Sequence, residues 1–295
     1  MKILVTGSTG NVGSLLVNNL INNGHEVIEI TRNIKKSREK FSDKTIKLNV
    51  DKNQNIFKKK IKEYKPEVCI HLASFLSSND DFYSLKKISD TNFLLLRVLD
   101  SLKDIKEFKL FINSGSFSQY LKNDDEINPA YLYSAGKNSD LTYLKYYSNT
   151  YKFKSLSIVP YTIYGSIDSK KKIIDLIIDS LRSKQAIELT NGKQILDFIH
   201  IKDVVKFYSS IVENYQSIKN ESIIKLGTGV GTSIRDLAKL VEKISFKKVN
   251  IIWGAKKYRK NDIMKAIAPK SSFTKKIDFI KLEDGLKNYI ELNNN

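Results

Sequence analysis

Ile3-Leu4-Val5 runs without a break into Thr6-Gly7-Ser8-Thr9-Gly10-Asn11-Val12-Gly13, and no other stretch constrains the fold of this chain as strongly. Gly7 permits a tight turn, Gly10 lets the backbone approach a pyrophosphate, and Gly13 lets a helix pack closely on a sheet. The helix that opens there offers unpaired N–H groups and positive potential to an anion. A glycine triplet by itself is a weak signal. Placed after a strand and at the start of a helix, it is the context of a dinucleotide-binding loop. Thr9, Asn11 and Val12 share the turn and join the three glycines as candidate cofactor contacts.

The residues after the loop fit that reading. Val12, Leu15, Leu16, Leu20 and Ile21 recur at helical spacing, which predicts a helix over Gly13–Asn23 that closes at Gly24. Apolar runs at Lys2–Val5, Glu26–Ile30, Thr45–Leu48, Val68–Leu72, Lys109–Asn113 and Ser155–Val159 alternate with longer amphipathic stretches. That alternation predicts an α/β fold, a Rossmann doubly wound parallel sheet, with a smaller C-terminal α/β substrate domain. Beyond Gly165 the pattern is less regular. It predicts helices at Lys171–Arg182, Asp203–Asn214 and Ser233–Ile244, strands at Ala186–Leu189 and Ser222–Leu226, and a turn at Gly227–Gly231. The domain expectation is a dinucleotide-binding domain over 1–165 to which 197–228 returns, and a substrate-binding domain from 166–196 and 229–295.

Composition narrows the class. No apolar run approaches the ~18 residues of a membrane span, and because Met1-Lys2-Ile3 enters a strand at once, no cleavable signal peptide is expected. A single cysteine, Cys69, rules out an internal disulfide in the monomer and fits a reducing compartment, so a cytoplasmic location with no membrane partner is expected. The net charge of +18 is spread along the chain rather than gathered on one element, so it reads as a solvated surface and no nucleic-acid partner is expected. His25 and His200 have no cysteine or carboxylate cluster around them, and no metal is expected. His71, at the end of an apolar strand, is expected to line the cofactor cleft as a structural residue rather than an acid or base.

The second strand ends Ile30-Thr31-Arg32, where a carboxylate for the adenosine ribose of NAD would be expected about 20 residues after the glycines. A hydroxyl and a guanidinium suit a 2′-phosphate better, so the cofactor expectation is NADP, with NAD as the alternative. Asn49 and Val50, or Asp51, close the third strand near the adenine.

Tyr133-Ser134-Ala135-Gly136-Lys137 places Tyr and Lys four apart, on one face of a helix. With 15 Tyr and 44 Lys in 295 residues, about two such pairs arise by chance, and Tyr83/Lys87 and Tyr215/Lys219 are two more. Setting separates them. Tyr133 opens a helix after Asn128-Pro129, downstream of the strand that leads into Asn113-Ser114-Gly115-Ser116. A phenol, ordinarily titrating near ~10, can protonate the alkoxide that hydride transfer creates, helped by a nearby ammonium. Ser116 can hydrogen-bond the carbonyl oxygen.

These segments, with HLAS at His71–Ser74 and Thr91-Asn92, resemble extended short-chain dehydrogenases of the NAD-dependent epimerase/dehydratase family that act on nucleotide sugars. Thr162-Ile163-Tyr164-Gly165, Asp197-Phe198-Ile199-His200, Gly227-Thr228-Gly229 and Arg259-Lys260-Asn261-Asp262 continue the family order. The resemblance implies cofactor contacts from Leu72, Ala73, Ser74, Asn92, Ser114 and Tyr161 beside Tyr133 and Lys137. It implies substrate contacts from Ser116, Thr162 and Arg259. It also implies a homodimer through helices near Leu85–Ser101 and Tyr133–Tyr151. Within the family the ITR ending, the residues around Ser116 and the stretch Gly192–Ile199 are most similar to enzymes like CDP-abequose synthase, 4-ketoreductases of a nucleotide-linked deoxysugar.

Three departures bear on the substrate. Leu196 stands where the family has a phosphate-binding Arg, Thr162 where it has Asn, and Ser166 where it has Pro. Phe117-Ser118-Gln119 supplies neither the acid nor the base that dehydration needs. The expected activity is NADPH-dependent reduction of a 4-keto (deoxy) nucleotide sugar, CDP-, GDP-, UDP- or dTDP-linked, in surface-polysaccharide biosynthesis. The alternatives are an NAD-dependent nucleotide-sugar epimerase, or a non-catalytic dinucleotide-binding or nucleic-acid-associated protein.

Overall fold

A computed structural model describes residues 1–50, 52–121, 126–167, 171–220 and 222–292. Asp51, one candidate for the adenine-side end of the third strand, lies outside them, as do 122–125 and 168–170. The first half of the chain forms β1 (Lys2–Thr6), α1 (Asn11–Asn22), β2 (Glu26–Thr31), α2 (Ile34–Phe41), β3 (Ile46–Asn49), α3 (Gln54–Tyr64), β4 (Val68–His71), α4 (Phe82–Leu102), β5 (Leu110–Ser114), α5 (Leu132–Tyr151) and β6 (Lys154–Pro160). The second half forms β7 (Thr162–Tyr164), α6 (Ile173–Ser180), β8 (Ile187–Leu189), β9 (Ile195–His200), α7 (Ile201–Glu213), β10 (Ser222–Leu226), β11 (Gly231–Ser233), α8 (Ile234–Ser245), β12 (Ile251–Trp253), β13 (Lys265–Ala266) and α9 (Leu282–Leu292). Among the described residues no helix is long and apolar enough to cross a membrane.

The main sheet has the strand order β10-β6-β5-β4-β1-β2-β3. Pairings β1–β2, β2–β3, β1–β4, β4–β5 and β5–β6 are all parallel. This is the doubly wound order of a Rossmann sheet, with the winding reversed between β1 and β4. Ile3, Leu4, Val5, Val68, Cys69, Ile70, Leu110, Phe111 and Ile112 are all fully buried. Both faces of these strands are covered, so their sequences are continuous apolar runs rather than alternating ones. Leu4, Ile28, Cys69 and Phe111 share one core with Phe57 and Ile61 of α3, Leu95 and Leu99 of α4, and Leu144 of α5.

By contact density the chain divides into one compact unit of 1–119, 131–159 and 205–224, and a second of 120–130, 160–204 and 225–295. In the second unit β9 pairs parallel with β7 and β13 and antiparallel with β11. Its core joins Ile174, Ile177 and Ile178 of α6 to Leu237 and Val241 of α8 and Leu286 and Ile290 of α9. Asp197, fully buried in β9, fixes the turn after β10. It accepts from Thr228 N–H at 3.0 Å, Thr228 Oγ1 at 2.6 Å, Gly229 N–H at 2.8 Å and Ala268 N–H at 3.2 Å.

Most boundaries shift by one or two residues from their expected places, and two of the shifts have clear local causes. The helix expected at Lys171–Arg182 begins at Ile173, where the Asp175 carboxylate accepts the Lys172 backbone N–H at 2.7 Å and closes the first turn. The third strand begins at Ile46 rather than Thr45, whose hydroxyl instead donates to Glu29.

Removing the Asp197 carboxylate leaves one buried and three half-buried donors without an acceptor. Asp197→Ala is expected to lower stability by on the order of 3–5 kcal/mol in urea unfolding. A loss below about 1 kcal/mol counts against Asp197 as the anchor of this turn.

Candidate active site

The glycine loop joins β1 to α1. Gly7 has φ +71°, a left-handed conformation that side chains disfavour. A Cβ there would lie 2.7 Å from Ala73 N, and one on Gly13 would lie 2.1 Å from Gly7 O. The turn, the segment after β4 and the first turn of α1 are therefore in backbone contact. Gly10 caps α1 with no side-chain hydrogen bond, leaving the helix N-terminus to an outside acceptor. Ser8 Oγ, buried in the same loop, has no hydrogen-bond partner among the described residues. A cradle closed to side chains, at a helix N-terminus with an orphan hydroxyl, fits the pyrophosphate of a dinucleotide.

At the end of β2 the nearest carboxylate is turned inward. Glu29 is fully buried and accepts from Ser37 Oγ at 2.8 Å and from Thr45 Oγ1. Thr31 Oγ1 accepts from Asn33 N–H at 3.1 Å and donates to Asn33 O at 3.2 Å, shaping the turn into α2. Arg32 is exposed, and Lys35 and Lys36, also exposed, follow in the first turn of α2.

The Tyr-Lys pair lies near the start of α5, on one helix face. Tyr133 is half-buried, whereas Lys137 is 3% exposed. Lys137 Nζ stands 3.7 Å from Asp140 Oδ2, and Asn92 Nδ2 donates to Asp140 Oδ1 at 2.6 Å and to Gly136 O at 2.8 Å. Burial pushes the Asp140 carboxyl above the usual carboxylate range, against the opposing pull of Lys137 and Asn92. Ser116 follows β5 in the same unit, its backbone N–H donating to Gln119 Oε1 at 2.8 Å. Ser116, Tyr133 and Lys137 thus belong to one compact unit, and the Ser116 loop is bonded to α5 through Ser118–Ser134 at 2.7 Å and Gln119–Asn138 at 2.7 Å.

The remaining expected residues divide by unit. Asn49 ends β3 and is exposed, and Val50 N–H bonds Thr31 O at 3.3 Å. Leu72 and Ala73 are half-buried beside Gly7, Ser74 is exposed, and Ser114 ends β5. Asn92 spends its amide group on α5, so its part in cofactor binding would fall to the carbonyl oxygen or to α5 itself. Tyr161, Thr162 and Arg259 belong to the second unit. Tyr161 is buried, Thr162 Oγ1 has no hydrogen-bond partner among the described residues, and Arg259 is exposed in a turn closed by its N–H to Asp262 at 2.8 Å.

Sequence reasoning passed over Asp140, Ser118, Ser134, Gln119 and Asn138. The only signal was position: Ser134 and Asn138 each follow a member of the Tyr-Lys pair by one residue. His71, expected to line the cleft as a structural residue, is fully buried with Nδ1 2.9 Å from Thr6 Oγ1. Burial and the Lys137 charge lower its pKa to about 3, so it stays neutral and is no acid or base at physiological pH.

A model described as the NAD dependent epimerase/dehydratase family matches residues 3–227. The CDP-abequose synthase of Salmonella typhimurium is 28% identical over 270 residues, covering 90% of this chain and 89% of that protein. A UDP-glucose 4-epimerase from Thermotoga maritima, solved with UDP-glucose, superimposes with TM-score 0.83 at 22% identity, covering 100% of this chain and 99% of that one. A UDP-glucuronic acid 4-epimerase from Bacillus cereus, solved with a fluorinated UDP-sugar and NAD, gives TM-score 0.84 at 20% identity, covering 99% and 100%. At such identities the structural likeness concerns the fold.

Gly13→Val is expected to weaken NAD(P)H binding at least tenfold in a fluorescence titration, since a side chain there displaces α1 from the loop. Unchanged affinity would mean the dinucleotide sits elsewhere. The histidine sets a second expectation. His71 is neutral when folded but takes up a proton below 6.5 when unfolded, so stability is full above that pH and drains away toward about 3. Between pH 7.5 and 5.5, His71→Gln should therefore lose about 1.4 kcal/mol less than the wild type in urea unfolding. Equal losses would show that His71 is not a buried neutral group.

Proposed function

The chain belongs to the NAD dependent epimerase/dehydratase family, and from that membership we propose that it is an NADPH-dependent reductase of a 4-keto (deoxy) nucleotide sugar. An NAD(P)-dependent enzyme of the short-chain dehydrogenase type is the coarser statement that family membership carries. The finer one rests on the end of β2, where Glu29 is sealed inside and Arg32, Lys35 and Lys36 are exposed. A guanidinium beside a helix N-terminus favours a phosphate ester over a free ribose hydroxyl. A net reductase draws fresh NADPH at each turnover, so the cofactor preference and the direction of reaction support each other. The likeness to a CDP-abequose synthase points the same way, toward a nucleotide-linked deoxysugar and surface-polysaccharide biosynthesis.

The bound nicotinamide supplies the hydride donor. Ser116 and Tyr133 hold the carbonyl oxygen of the sugar by hydrogen bonds, and Tyr133 gives its proton to that oxygen as negative charge develops. Lys137 stabilises the phenolate that remains and binds the nicotinamide ribose hydroxyls. Thr162 and Arg259 are the proposed contacts to the sugar and to its diphosphate. Leu85 and Phe93 of α4 and Tyr143 and Tyr146 of α5 are exposed, which supports a homodimer through those helices. The second reading, an NAD-dependent epimerase, uses the same three catalytic groups and is supported by the family's epimerase members.

Parallel titrations with NADPH and NADH test the reading. NADPH is expected to bind about 10–100-fold more tightly, and Arg32→Ala to erase the preference while NADH binding is kept. NADPH consumption with CDP-, GDP-, UDP- and dTDP-linked 4-keto-6-deoxyhexoses then identifies the substrate, and Tyr133→Phe should lower kcat by roughly 10²–10⁴-fold. Tighter NADH binding, or NAD that cannot be stripped from the purified protein, moves the assignment to the epimerase.

A further inference from the structure

We propose that Ser116 is an obligate hydrogen-bond donor, fixed in that role by a one-way hydroxyl chain running from Ser134 through Ser118 to Ser116. The inference rests on the reading of Ser116 as the residue that touches the reacting oxygen. A serine hydroxyl has one proton to give and two lone pairs to fill. Ser134 Oγ donates to Ser118 Oγ at 2.7 Å, and Ser118 Oγ lies 2.8 Å from Ser116 Oγ. The second contact has two possible polarities. If Ser116 donated, both lone pairs of Ser118 would be filled and its own proton would need another acceptor. Ser118 is 4% exposed and has no other hydroxyl contact among the described residues, so that proton would be stranded. Ser118 therefore donates to Ser116. The backbone N–H of Ser118 adds a second donor to the same oxygen at 3.3 Å. With both lone pairs occupied, Ser116 has only its proton left to offer.

A second brace fixes where that proton points. Gln119, fully buried, accepts the Ser116 N–H on Oε1 at 2.8 Å and donates from Nε2 to Asn138 Oδ1 at 2.7 Å. Gly115 makes room for it, since a Cβ there would meet Gln119 Oε1 at 2.6 Å. Ser134 and Asn138 adjoin Tyr133 and Lys137 along α5. The Ser116 loop is thus tied to the same two turns that carry the phenol and the ammonium. Ser118, Ser134, Gln119 and Asn138 are positioning residues. They make Ser116 a polarised donor whose bond strengthens as a carbonyl oxygen becomes an alkoxide, and the proton of the reaction passes through Tyr133 alone.

The variants Ser118→Ala, Ser134→Ala, the double variant and Ser118→Thr separate this chain from ordinary packing. Using whichever 4-keto-6-deoxyhexose nucleotide the wild type reduces, Ser118→Ala is expected to lower kcat about tenfold, with KM and NADPH affinity within about twofold. Ser134→Ala should lower kcat about threefold, and the double variant should be no slower than Ser118→Ala, because Ser134 acts only through Ser118. Ser118→Thr restores the rate. A Ser118→Ala kcat within twofold of wild type, or additive losses in the double variant, overturns the proposal. If the wild type reduces none of these sugars but interconverts UDP-glucose and UDP-galactose, the reductase reading fails and the same four variants are compared on that reaction. If it turns over neither, a crystal structure of the wild type with NADP decides. Ser118 Oγ within hydrogen-bond distance of both Ser116 and Ser134 supports the chain, and any other partner for Ser118 overturns it.

Discussion

A buried ammonium organises the dinucleotide-binding unit. Lys137 is 3% exposed, and an unpaired charge at such a position would cost several kcal/mol. Its compensation reaches into both neighbouring layers. Asp140 stands 3.7 Å away on the next turn of α5, and Asn92 reaches across from α4 to hold that carboxylate and the Gly136 carbonyl together. The helices can come that close because Gly136 has no side chain, and a Cβ there would meet Ile88 at 2.5 Å. In the sheet, the same charge helps keep His71 neutral, so the imidazole serves Thr6 instead of competing for protons. Lys137 is therefore a packing problem as well as a proposed catalytic group. Its solution fixes the height of α5 against α4, and with it the position of Tyr133.

The sheet meets this arrangement along one transverse row. Register places Thr6 beside His71, His71 beside Asn113, and Asn113 beside Ser157, so polar side chains line up across four strands otherwise filled with Val, Ile, Leu and Phe. Thr6 shows how the row is used. Its hydroxyl meets His71 Nδ1 and accepts the Ala73 N–H, which clamps the segment after β4 against the glycine turn. The backbone contact that forbids a side chain at Gly7 is the other half of the same clamp. Glycine loop, β4 exit and α5 are consequently coupled through a few short contacts, and rigid placement of this kind is what the proposed hydride-transfer site would require.

Much of this was legible in the sequence, and the limits have physical causes. The main-sheet strands could be read because burial on both faces makes each a continuous apolar run, and α1 because five apolar residues keep helical phase. Strands of two or three residues show no period of their own, so β7, β11, β12 and β13 escaped notice where β8 was read, and the six-residue β9 escaped as well. Within the site, Tyr133 and Lys137 stood out by their setting alone, since two other Tyr-Lys pairs share the spacing. Ser118, Ser134, Gln119 and Asn138 did not. Serine, glutamine and asparagine are common surface residues, and only the folded chain turns these four inward toward one loop. Asp140 escaped for a related reason: an acid three residues after a lysine on a helix usually marks a solvated ion pair, and only burial gives it another meaning.

The choice between reductase and epimerase turns on the cofactor cradle and not on the catalytic trio. Both reactions place a phenol, an ammonium and a serine hydroxyl around one sugar oxygen, so no arrangement of Ser116, Tyr133 and Lys137 separates them. They differ in what must happen between turnovers. An epimerase returns its hydride and gains by never releasing the dinucleotide, for which a carboxylate on the ribose diol is a good anchor. A reductase must exchange its cofactor each cycle and must select the reduced form that the cell supplies for synthesis. In this chain the carboxylate near the end of β2 is committed to Ser37 and Thr45, and Thr31 has closed its hydroxyl onto Asn33. Glu29 is fully buried and out of reach of a ribose diol, and Thr31 cannot bind one without giving up a bond that shapes the turn. On the proposed reductase reading, what remains there for an incoming cofactor is the exposed charge of Arg32, Lys35 and Lys36, which suits a phosphate held through solvent-exposed contacts that also let it leave.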